Sequence, residues 1–127
     1  MLETTTKLDA EAAVAALKEA VEAQGLRVAG EINGQANAAM IGAEVPVDRI
    51  LEVFHPKYAL RVWEACKPAG IDIPLRIHVW SDGEQLHVTA RRPSEVFAPW
   101  GSAELDALGA ELDPLFEAIV ARLPEVA

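Results

Sequence analysis

A single cysteine, Cys66, excludes an intramolecular disulfide framework and any zinc or iron–sulfur site built on several cysteines. Basic residues are scarce, 11 Lys and Arg against 20 Asp and Glu, for a formal charge of −9. Such a balance disfavours non-specific binding to nucleic acid, whose phosphates need a basic field across the contact, and an anionic membrane for the same reason. No apolar run approaches the ~18 residues of a membrane span, and the opening MLETTTKLDAE carries no basic end followed by an apolar segment. A cytoplasmic location is therefore expected. No repeat, linker or low-complexity segment interrupts the chain. A Ser-His-Asp order, a phosphate loop and a dinucleotide fingerprint are all missing, so the chemistry of an enzyme is not expected, and no cofactor can be named.

What is present is an apolar half, 51% of 127 residues. A chain of this length forms one domain (residues 1–127) and buries about two-thirds of its unfolded surface, enough for a core without covalent staples. Ile73 to Arg91 is its most informative stretch, because two alternating runs flank Asp82-Gly83, a strong β-hairpin signal. Ile73, Leu75, Ile77 and Val79 share one face, as do Leu86, Val88 and Ala90, and these form the core side. Arg76, His78, Trp80, Gln85, His87, Thr89 and Arg91 occupy the other. A two-residue turn would pair Trp80 with Gln85, Val79 with Leu86, and His78 with His87, setting the two imidazoles directly across from each other.

Upstream, Leu2 to Leu8 alternates as a short strand, and Asp9 caps a helix through Val14, Leu17 and Val21 that Gly25 stops. Leu26 to Ile32 reads as a second strand weakened by Gly30 and ended by Asn33-Gly34. Gln35 to Gly42 suits two helical turns. Arg49 to His55 is a third strand whose inward face is ambiguous, and Tyr58 to Cys66 a helix ended by Pro68 and Gly70. After Pro93 the pattern loosens through Trp100. Ser102 then caps a last helix striped by Leu105, Leu108, Leu112, Phe116, Ile119 and Leu123, which Pro114 is expected to kink or split at Asp113. The order predicts an α+β fold, one sheet backed by helices.

From Gly25 to Pro93 the chain resembles the domain of unknown function 302 family, small bacterial and archaeal proteins whose activity is not established. Ile71 to Trp80, IDIPLRIHVW, after Lys67-Pro68-Ala69-Gly70, is similar to the family's I-D-L-P-L-R run and its strand ending V-W. Pro56-Lys57 stands where the family has a G-N-P-K turn, and Ile32 begins the segment where it has I-D-H-A. The resemblance implies a TATA-binding-protein-like β-α-β(4)-α arrangement, a single curved antiparallel sheet with helices on one face, and homodimers. Nucleic-acid binding does not travel with that likeness. Three polar positions depart from the pattern: Asn33-Gly34 replaces Asp-His, Phe54-His55 replaces Gly-Asn, and Ala90-Arg91-Arg92 replaces Tyr-Asn-Asp.

Two chemistries deserve weighing on the outward hairpin face. His78 and His87 could share a metal ion with His55 or Glu52 as third ligand, or clash as paired cations below about pH 6. Arg76, Arg91 and Arg92 concentrate positive charge as an anion site would require, although pairing with acids across a dimer contact uses the same groups. Cys66 falls in helical register with Val62 and Trp63, which favours a buried thiol over a nucleophile. The expectation is a non-enzymatic homodimer in which Arg76, His78, Trp80, His87, Thr89 and Arg91 form the subunit contact or a shallow pocket beside it. The alternative is a domain binding a small molecule or a metal ion with that face.

Overall fold

Five strands pair antiparallel throughout, in the order β1-β5-β4-β3-β2, in a computed structural model that describes residues 1–126. The strands are β1 (Leu2–Thr6), β2 (Arg27–Asn33), β3 (Asp48–Phe54), β4 (Leu75–Ser81) and β5 (Leu86–Ala90). The helices are α1 (Ala10–Ala23), α2 (Gly34–Ala39), α3 (Pro56–Ala65), α4 (Pro93–Phe97) and α5 (Ala103–Val126), with 3-10 turns at Lys67–Asp72 and Ala98–Trp100. Apart from the short helices between strands, this is the β-α-β(4)-α order. The sheet is open, with β1 and β2 at its edges.

Alternation decides which side is covered. Leu51, Val53, Ile77, Val79, Leu86 and Val88 point to the helices and are buried. α1 meets them with Val14, Leu17 and Val21, and α5 with Phe116, Ile119 and Leu123. Asp9 starts α1 by accepting the Ala12 N–H at 2.8 Å. A second apolar cluster, Val62, Ala69, Phe97, Leu105, Leu108 and Leu112, joins α3 and α4 to the first half of α5. Tyr58, Leu75 and Leu115 touch both clusters.

The ambiguous third strand resolves with Arg49, Leu51 and Val53 inward and Ile50, Glu52 and Phe54 outward. An arginine can face the helices because Glu11 of α1 and Glu31 of β2 meet its guanidinium at 2.5 and 3.1 Å. Lys18, hydrogen-bonded to Glu31, is the main group holding that carboxyl below its ordinary range, with Arg49 adding to it against the opposing effect of burial.

Three expectations change. Pro114 does not split the last helix, which runs unbroken from Ala103 to Val126. Apolar packing before and after the proline holds it, and Asp113 is anchored by accepting the N–H and Oγ–H of Ser94 at 3.0 and 2.6 Å. The stretch after Pro93 is helical rather than loose, since Glu95 accepts the Arg92 N–H and Phe97 fills the second cluster. Ile73 precedes β4 instead of lying in it: the strand begins at Leu75, after Pro74, which has no N–H to donate to the ladder.

Candidate functional site

The helices leave the other face of the sheet open, and cross-strand pairing lays its side chains in three rows. One row runs Thr5, His87, Trp80, Asp48. The next runs Glu3, Thr89, His78, Ile50, Ile32. The third contains Arg76, Glu52 and Gly30, and continuing the β4–β5 register two residues past His78–Thr89 sets Arg91 opposite Arg76. Arg76, His78, Trp80, His87, Thr89 and Arg91 therefore share one face, as alternation requires.

Their register differs from the expected one. Trp80, not His78, faces His87, and Thr89 faces His78. A two-residue turn of the expected type needs positive φ at both central residues, whereas only Gly83 adopts it, at 100°. Asp82 instead closes a four-residue loop, its carboxylate accepting the N–H groups of Glu84 and Gln85 at 2.9 and 3.1 Å. A slip of two residues preserves the faces while separating the imidazoles.

Trp80 fills the gap between them. Its ring stacks on His87 at 4.2 Å and 12°, and more loosely on His78 at 6.3 Å and 26°. Each histidine also meets a carboxylate, His87 Nε2 with Asp82 at 2.7 Å and His78 Nε2 with Asp48 at 3.1 Å. A carboxylate accepts, so Nε2 carries the proton in both rings. The His87 bond, with the two backbone N–H bonds, holds the Asp82 carboxyl far below the usual carboxylate range.

Facing cations and a shared ion at this pair are therefore not built into the geometry. His55 serves elsewhere, its Nδ1 accepting the Lys57 N–H at 3.1 Å to cap α3. Among the described residues no three of His, Cys, Asp or Glu gather as a metal would need, so neither His55 nor Glu52 completes a set with His78 and His87. Cys66 is a half-buried free thiol at the end of α3, and all three histidines are engaged with other groups.

Two open grooves meet at His78. One, of about 530 Å³, lies between the Arg76 and Arg91 end of the hairpin and the turn at Ile71–Pro74. The other, of about 390 Å³, runs between Trp80 and the segment Val45–Asp48. Arg92, grouped in the sequence with Arg76 and Arg91, turns away to pair with Glu117. Arg76 and Arg91 have no carboxylate within ion-pair distance among the described residues.

This arrangement has a family context. The sequence matches the domain of unknown function DUF302 over residues 2–123. The chain belongs to the DUF302 family. A solved structure, an uncharacterized conserved DUF302 protein from Bacillus stearothermophilus, superimposes with a TM-score of 0.88 over 96% of each chain at 17% identity, which supports the fold alone. No curated protein matches. Two of the three positions that depart from the DUF302 pattern do structural work here: Asn33 caps α2 by accepting the Ala36 N–H, and His55 caps α3. The third brings Arg91 to the open face. A shallow pocket beside this face was an expectation, but the wall formed by Val45–Val47 was not visible in the sequence, since that segment approaches the hairpin only through tertiary folding.

Proposed function

We propose that this DUF302 domain is a non-enzymatic, self-associating protein that pairs two copies through the helix-free face of the sheet at its β2–β3 side. One observation supports it above others: exposed large apolar residues collect at the end of β2 and in the connection that leads to β3. Ile32, Met40, Ile41 and Val45 are 41, 83, 86 and 40% exposed. Ile32 continues the outward row through Ile50 to His78, and Val45 lines the groove beside Trp80. Clustered exposed apolar groups mark contact sites, and a two-fold pairing of one patch with itself is the commonest closed assembly.

Among the described residues no helix is long and apolar enough to cross a membrane, so a bilayer-spanning helix does not account for this surface. Sedimentation velocity over a series reaching hundreds of micromolar tests the reading. The wild-type chain should sediment as a dimer, and the double substitution Met40→Asp, Ile41→Asp should give a monomer with an unchanged thermal melt. A wild-type monomer at every concentration would refute the proposal.

A further inference from the structure

We propose that the groove at the opposite end of the face binds a small amphipathic carboxylate, its acid group held between Arg76 and Arg91. This goes beyond self-association and does not depend on it: the exposed apolar connection between β2 and β3 borders the other groove through Val45, and the two grooves share only His78.

The charge is the first observation. Arg49, Arg61 and Arg92 each end on a carboxylate. Arg76 and Arg91, which line the same groove and are both exposed, do not, in a chain with 20 acids. Like charges held side by side are unfavourable without a counter-ion. Glu52 is the cross-strand neighbour of Arg76 and its natural partner, yet no ion pair forms. Its Oε1 leans over Gly30 instead, within 2.6 Å of where a Cβ would stand. The missing side chain at Gly30 thus gives Glu52 somewhere else to lie.

Two other nearby acids, of which Asp72 also lines the groove, have partners of their own rather than the two arginines. Asp72 accepts the Trp100 Nε1–H at 2.6 Å, and Glu95 pairs with the Met1 amine at 2.6 Å. Both guanidiniums stay available, in a planar donor geometry suited to a carboxylate.

Shape and polarity decide the rest of the ligand. At about 530 Å³ the groove is in the range of small-molecule sites. Ile50, Ile73, Pro74 and Val96 line it beside the two arginines, and Thr89, His78 and Asp72 add polar groups to the same lining. Ile71, 82% exposed, stands on its rim and can cover a hydrocarbon or aromatic body. An inorganic anion would leave that apolar lining uncovered, so the acid must carry a carbon skeleton.

Titration calorimetry of the full chain with octanoate, phenylacetate, inorganic phosphate and benzyl alcohol tests the assignment. The two carboxylates should bind, with the alcohol and phosphate weaker by about tenfold or more. Arg76→Met with Arg91→Met should abolish the carboxylate preference while leaving the melting temperature unchanged, since both side chains are exposed. Equal binding of acid and alcohol, binding led by phosphate, no carboxylate binding, or an unaffected double variant would each overturn the proposal. Sedimentation of the arginine variant separates the two readings: loss of the dimer with no binding in either protein would reassign these arginines to the subunit contact. The Met40→Asp, Ile41→Asp monomer should still bind octanoate.

Discussion

Asp82 organises the hairpin end through three hydrogen bonds, and its ionisation makes that organisation pH-dependent. Its folded-state pKa lies well below the ordinary carboxylate value, with the His87 bond the largest cause. A depressed carboxyl stabilises the fold above its unfolded pKa of about 3.9, and that contribution is lost as pH falls toward the folded-state value. Asp82→Asn keeps an acceptor for the backbone N–H groups but removes the charge. Urea midpoints of the two proteins should differ most near neutral pH and converge below about pH 4. Glu31 and Glu95, also depressed, are common to both proteins and drop out of the difference. A difference that stays constant down to pH 2 would show that the Asp82 charge adds nothing to stability. The faces of Arg76 to Arg91 could be read from alternation because a period of two survives an even slip. The partner of His87 could not, since it depends on a loop closed by one carboxylate and on a tryptophan ring filling the space between two imidazoles.

In α5 two residues that helix propensity treats alike as breakers have opposite tertiary roles. Gly109 is buried where α4 crosses, and a Cβ there would come within 2.7 Å of Ser94 Cα and 3.0 Å of its N, both backbone atoms that cannot swing aside. Gly109→Ala gains about 1 kcal/mol of propensity but meets an overpacking cost of about 1–3 kcal/mol, so a net loss of about 1 kcal/mol is expected. Pro114 is exposed and touches no such contact. Pro114→Ala should restore a backbone donor and stabilise by about 1–2 kcal/mol, part of the intrinsic gain being offset by a freer unfolded chain. Urea unfolding of both variants checks the pair of signs, and stabilisation by both would mean that α4 and α5 are not in close contact. The apolar stripe of α5 announced the helix, whereas its survival across Pro114 came from contacts no local rule contains. α4 escaped the reading for a related reason: five residues are too few for periodicity, and Phe97 reveals its burial only against Leu105 and Leu108.

The whole molecule carries a charge of −9, so two copies repel before they touch. Much of the architecture followed from pattern: alternation for the strands, helical spacing for α1 and α5, and an α+β sheet backed by helices from their succession, whereas the β-α-β(4)-α arrangement was implied by the family resemblance. Which apolar residues stay exposed did not, because Ile32, Met40, Ile41 and Val45 look like ordinary core candidates until the fold leaves them outside. The net charge now distinguishes two kinds of dimer. A contact held by Arg76 and Arg91 against acids of the partner would weaken as salt screens the attraction. A contact made by the apolar connection between β2 and β3 gains nothing from opposite charges and suffers only the mutual repulsion. The Debye length falls from about 30 Å at 0.01 M salt to about 10 Å at 0.1 M, short enough to remove most of that repulsion. The dimerisation constant measured by sedimentation should therefore tighten between these concentrations, while octanoate binding at the two arginines, being electrostatic in its selectivity, should weaken over the same range. A dimer that loosens in step with the ligand would place the arginines in the contact and the apolar connection outside it.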